Sequence, residues 1–128
     1  MILLETSYLV DYEQGAAVAG TFFAEHEHDP LGASTISMFE LAFGVVWGSD
    51  RELAELRDSL RWVDFLPFSV ADAVEAARIQ AELQSAGDRI PIGDMLIAGV
   101  ARNRGATLVA ADDHFERIDG LRVEYYRE

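Results

Sequence analysis

The stretch Ile90 to Phe115, IPIGDMLIAGVARNRGATLVAADDHF, decides the fold. It reads as helix, turn, strand. Asp94 opens an apolar helical run of Met95, Leu96, Ile97, Ala98, Val100 and Ala101. Arg102, Asn103, Arg104 and Gly105 make a polar helix end and a turn. Thr107 to Ala111 is a short apolar strand, and Asp112 directly follows it. Two acids therefore stand where regular structure begins or ends.

The same alternation extends upstream. Ile2 to Leu4 is a short, wholly apolar run, expected to form a buried strand, with Thr6 or Ser7 capping the helix that follows Glu5. Gly15 interrupts that helix, and Ala16 to His28 is expected to form another. Leu31 to Ser34 reads as a second strand, Ile36 to Trp47 as an apolar helix, and Asp50 to Arg61 as a charged amphipathic helix. Trp62 to Phe68 alternates as a third strand does. Ser69 caps a helix from Val70 to about Ser85, stopped at Gly87, and after a turn at Phe115 to Gly120 the last strand runs from Leu121 to Tyr126. Strands alternating with helices define an α/β domain, residues 1–128, with a central, mainly parallel sheet flanked by helices. No internal repeat or linker interrupts it.

Composition narrows the chemistry. Half of the 128 residues are hydrophobic, which supports one real core. Without cysteine there is no disulfide, thiolate metal site or Cys nucleophile. The start, Met1 to Glu5, lacks a basic leader, and no apolar run approaches the roughly 20 residues that span a bilayer. The expectation is a cytoplasmic protein with no membrane partner. There are 23 acids against 10 basic residues, all of them arginine, for a net charge of −13. That balance opposes generic long-range attraction to nucleic acid, and it fits either a high-salt cytoplasm, where a Debye length of about 3 Å removes distant repulsion, or GC-rich coding bias with chance acidity.

The candidate site residues are acids. In such sheets, sites form beyond the carboxyl ends of the strands, where both Glu5 and Asp112 fall. Glu40 is the sole ionisable residue between Ile36 and Trp47; it needs a partner, and either a metal or a capping box with Ser37 would supply one. Asp94 at a helix start also suits the helix dipole, and Asp112 and Asp113 also suit a turn. Taken together, Glu5, Glu40, Asp94 and Asp112 would repel one another unless a hard cation such as Mg²⁺ or Mn²⁺ neutralised them. Thr6, Ser7, Asp113 and His114 are accessory candidates. His26 and His28 lack a third ligand and read as solvated. Arg89, Arg102 and Arg104 either line a nucleic-acid path or simply solvate helix ends.

At this point the chain resembles the PIN-domain ribonucleases, specifically the VapC-type toxins of toxin–antitoxin pairs. The motifs are Met1-Ile2-Leu3-Leu4-Glu5-Thr6-Ser7-Tyr8-Leu9-Val10-Asp11, the Ser34 to Gly44 segment with Glu40, Asp94-Met95-Leu96-Ile97-Ala98, and Gly105 to Phe115 followed by Gly120 to Val123. The ordered set covers essentially the whole chain. The resemblance implies a parallel-sheet fold and one or two Mg²⁺ or Mn²⁺ ions held by Glu40, Asp94 and Asp112. It implies hydrolysis of RNA phosphodiester bonds, a homodimer and a small antitoxin that plugs the site. Two departures stand out: Glu5 occupies the position of the family's first Asp, and Ala110 stands where a hydroxyl often lies. A longer acid at position 5 implies attenuated activity or a shift towards Mn²⁺. Alternatives are a housekeeping RNA-processing PIN nuclease and a degenerate PIN domain that binds without cutting. A phosphoacceptor receiver domain is disfavoured, because it relies on a lysine and on paired acids after the first strand, and this chain has neither.

Overall fold

The computed structural model describes residues 1–127. Five strands form one sheet in the order β3-β2-β1-β4-β5, and every pairing is parallel. The strands are β1 (Ile2–Leu4), β2 (Leu31–Ser34), β3 (Asp64–Leu66), β4 (Thr107–Ala110) and β5 (Arg122–Tyr125). Between them run α1 (Thr6–Glu13), α2 (Ala17–His26), α3 (Thr35–Gly48), α4 (Leu53–Ser59), α5 (Val70–Ser85) and α6 (Ile92–Arg104). A 3-10 turn at Asp113–Arg117 precedes β5.

The strands read as unbroken apolar runs because helices cover both faces of a parallel sheet. Side chains alternate along a strand, so Leu3 and Leu4 enter opposite cores. Leu4 and Val109 pack with Tyr8, Leu9 and Phe22 on the α1 side. Leu3 and Leu108 pack with Ile79, Ile97 and Val100 on the α5 and α6 side. All four strand residues are fully buried, each worth about 1.5–3 kcal/mol.

Several boundaries differ from the sequence reading. The alternating run at Trp62 to Phe68 yields only three strand residues, Asp64–Leu66. β3 is an edge strand bonded on one side, so pairing ends where its single neighbour ends. The charged helix shortens to Leu53–Ser59 because a capping box of Glu52 and Glu55 fixes its start. Ser69 caps α5 as expected, and Asp72 answers it in a second capping box. The cap of α1 is neither Thr6 nor Ser7: Glu5 itself takes the position, its Oε2 accepting the Ser7 amide at 3.0 Å.

A firm joint holds α6 in place. Asp72 in α5 is fully buried, yet it accepts hydrogen bonds from Arg104 Nη2 at 2.9 Å and Asn103 Nδ2 at 2.9 Å at the far end of α6. Burial alone would raise the Asp72 pKa, but Arg104, the Ser69 amide, Asn103 and the Ser69 hydroxyl outweigh it and hold the group at about 2. Arg102 is similarly tied to Glu75 at 2.7 Å and Glu82 at 2.8 Å. Arg102 and Arg104, two of the three arginines flanking the Asp94 helix, are thus engaged as struts between helices. Gly105 ends α6 in the left-handed region, φ 64°, where a side chain would be strained.

Candidate metal centre

The strand order reverses direction beside β1: β2 and β3 lie on one side, β4 and β5 on the other. A crevice opens at such a switch point beyond the carboxyl ends of the strands. Glu5 immediately follows β1, and its amide still donates to Val109 O of β4 at 2.9 Å. Asp112 follows β4 and starts the 3-10 turn, accepting the His114 amide at 3.1 Å. Asp94 lies in the first turn of α6, two residues inside its start at Ile92. Glu40 reaches in from α3. The four acids come from four separate segments and line one cleft of about 490 Å³.

Each acid has different company. Glu5 is 3% exposed, and no cation among the described residues pairs with it. Burial pushes its pKa up to about 7; hydrogen bonds from Ser7 oppose the shift, and the charges of Asp94 and Glu40 add to it. Glu40 is not half of a capping box with Ser37, because Ser34 caps α3 through the Ile36 amide. Its Oε1 instead accepts the Thr6 hydroxyl at 2.6 Å, and Thr6 Oγ1 also lies 2.9 Å from the buried Ser37 hydroxyl. Asp94 is raised by burial; His114 lowers it, while Glu40 and Asp112 raise it further. His114 Nε2 stands 2.8 Å from Asp112 Oδ2 and 3.2 Å from Asp94 Oδ2, joining the two acids.

Thr6, Ser7 and His114 line the same cleft as the four acids, whereas Asp113 does not. Among the described residues, the tightest group of donors is Asp112, Asp113 and His114, with ligand atoms all within 4.8 Å of one another. His26 instead pairs with Asp29 at 2.9 Å and stacks on Phe22, and His28 is almost fully exposed. A hard divalent cation fits the cleft's donor set: its acids offer only oxygens, and Glu5 is a buried acid that no cation among the described residues pairs with.

Three cleft features escaped the sequence reading. Gly93 lies against Glu40: a methyl group there would sit 2.5 Å from Glu40 Oε2. Gly93→Ala is expected to displace the Glu40 carboxylate, since it is the flexible end of a side chain. The fold should lose about 1 kcal/mol, the low end of what overpacking costs. Mn²⁺ affinity should fall roughly tenfold, the lower end of what shell changes cost, as read by calorimetry. Asp11 and Arg127 also line the cleft, their side chains paired at 2.8 Å. An arginine 116 residues from its partner gives no local pattern to read.

Glu5 predicts a pH dependence. Its folded pKa lies above its ordinary value, so the native state binds more protons than the unfolded chain between pH 4.5 and about 7. Metal-free stability therefore falls as pH rises through that window, by about 3 kcal/mol at most from this group, and Glu5→Gln makes the slope shallower. Denaturant melts of both proteins at pH 5 and pH 8 read this directly; equal slopes would refute it.

Comparisons with known proteins bear on the family and the fold. The family model described as PIN domain matches residues 2–121. The tRNA(fMet)-specific endonuclease VapC of Shigella flexneri is 34% identical over 94 residues, 71% of each chain. Ribonuclease VapC5 of Mycobacterium tuberculosis is 26% identical over 122 residues, 92% of this chain and 87% of its own. Among solved structures, the DNA-bound VapBC of Salmonella typhimurium superposes with a TM-score of 0.87 at 25% identity, covering 98% of both chains. The chain belongs to the PIN-domain family, and within it to the VapC group.

Proposed function

We propose that the chain is a divalent-metal-dependent endoribonuclease, the toxin of a VapBC-type toxin–antitoxin pair. The observation that carries this reading is the meeting of Glu5, Glu40, Asp94 and Asp112 in one cleft at the switch point of the sheet. The relatives it resembles bear endonuclease and ribonuclease names.

Glu5, Glu40, Asp94 and Asp112 would hold one or two Mg²⁺ or Mn²⁺ ions. Such an ion, when bound, lowers the pKa of its water and offsets charge on the phosphate oxygens during hydrolysis. Thr6 fixes one oxygen of Glu40 and so sets the direction of its free oxygen. His114 keeps Asp94 and Asp112 together from one side. Glu5, buried and without a cation, gains most from a bound ion, which would return it to the carboxylate form at neutral pH. Its extra methylene relative to Asp lengthens the reach of that carboxylate. Glu5→Asp is expected to raise the cleavage rate and to shift preference from Mn²⁺ towards Mg²⁺.

The partners that follow are an RNA substrate, a small cognate antitoxin and a second copy of the chain, all in the cytoplasm. Among the described residues no helix is long and apolar enough to cross a membrane. The test is cleavage of a mixed RNA pool with Mg²⁺, Mn²⁺ or EDTA, at low and high salt, by wild type and Glu5→Asp. Metal-dependent cutting by either protein supports the nuclease. Cutting by neither, with metal present, favours the PIN domain that binds without cutting.

A further inference from the structure

An RNA strand entering this cleft meets the carboxylates of Glu5, Asp11, Glu40, Asp94 and Asp112 on a chain of net charge −13. Something must offset phosphate charge beyond the reach of a metal, because the protein's overall field works against a polyanion. None of the three arginines that sequence places near Asp94 lines the cleft: Arg102 and Arg104 are engaged by Glu75, Glu82 and Asp72, and Arg89 lines a separate pocket with Gln80 and Ile92. Among the described residues Arg127 is the single arginine lining the cleft.

Its setting is that of a held but available guanidinium. Nη1 of Arg127 lies 2.8 Å from Asp11 Oδ2, and the same oxygen accepts the Tyr126 hydroxyl at 2.6 Å. The guanidinium carbon stands 5.8 Å from the Tyr126 ring centroid, and the side chain is 48% exposed. Asp11 uses one edge of the planar fork. A guanidinium carries five N–H donors, so the Nη1 contact to Asp11 leaves donors to spare for two phosphate oxygens. Tyr126, buried against Tyr8, anchors the chain immediately before Arg127.

We propose that Arg127 is the RNA-backbone anchor of this site, pairing with a substrate phosphate next to the scissile bond while Asp11 holds its guanidinium in reach. The proposal rests on the nuclease reading for the identity of the ligand, but its test does not require cleavage. Binding of a fluorescein-labelled single-stranded RNA of mixed sequence is followed by anisotropy, with Mg²⁺, across a salt series, in an Asp94→Asn background. Arg127→Ala is expected to raise Kd about tenfold and to make the log–log salt slope shallower by about one, the mark of one lost phosphate contact. Arg127→Lys recovers part of the affinity. Asp11→Asn breaks the same ion pair yet removes a negative charge and frees the guanidinium, so its Kd stays level or falls. If Arg127 only fastens the chain end, Arg127→Ala and Asp11→Asn weaken binding together and leave the slope unchanged, which overturns the proposal. RNA affinity that ignores Arg127→Ala, or no RNA binding by the parent, overturns it equally. If neither wild type nor Glu5→Asp cleaves with any metal while the Arg127 effects persist, the nuclease reading fails and the anchor stands.

Discussion

Asp94→Asn is expected to lower metal-dependent RNA cleavage by at least about a hundredfold while leaving the fold intact. Asp94 sits in the first turn of α6 and is raised by burial and by the neighbouring charges of Glu40 and Asp112. The asparagine keeps the shape and one oxygen but not the charge that draws a divalent ion. Changes to partners one shell further out already cost about 10–100-fold in such sites, so a direct ligand should lie at or beyond the upper end. The same substitution removes like charge from a crowded cleft, so the metal-free protein should melt no lower than wild type. Asp94 makes no side-chain cap to its own helix, whose N-cap position is Pro91. A melting temperature well below wild type would mean that Asp94 stabilises α6 through its dipole, and the metal-ligand role would lose its main support.

Arg104→Ala is expected to destabilise the protein by about 3 kcal/mol, the scale for removing one partner from a buried ion pair. For a domain of this size that is roughly 10 °C in melting temperature. Asp72 is fully buried and would retain only Ser69 and Asn103 as partners. The pH behaviour is opposite to that of Glu5. Asp72 is held at about 2, below its ordinary value, so it contributes stability at neutral pH that is lost as pH falls through 3.8 towards 2. In Arg104→Ala that acid-sensitive loss shrinks. Wild-type stability in the mutant would show that the joint between α5 and α6 is carried by packing alone.

These two acids show what the sequence discloses and what it hides. The α/β alternation and the placement of Glu5 and Asp112 after strands follow from short-range patterns, and the sheet turns out wholly parallel. Asp72 is the most buried acid, yet in sequence it is one charge in a helix rich in charge; its partners lie 31 and 32 residues away. The Ser37 to Glu40 spacing fits a capping box, but Ser34 takes the cap and Thr6 takes Glu40, a contact across 34 residues. Gly93 carries no side chain to read, and its meaning comes only from the Glu40 oxygen lying against it. Local patterns place elements and their ends; which ends meet depends on strand order.

The most direct test of the central claim is the anomalous diffraction of Mn²⁺ in crystals of the wild-type chain. The expected result is a peak in the cleft with carboxylate oxygens of at least two of Glu5, Glu40, Asp94 and Asp112 at the roughly 2.0–2.2 Å of an oxygen-bound transition ion. A peak held by Asp112, Asp113 and His114 alone, or none in the cleft at saturating Mn²⁺, would contradict it.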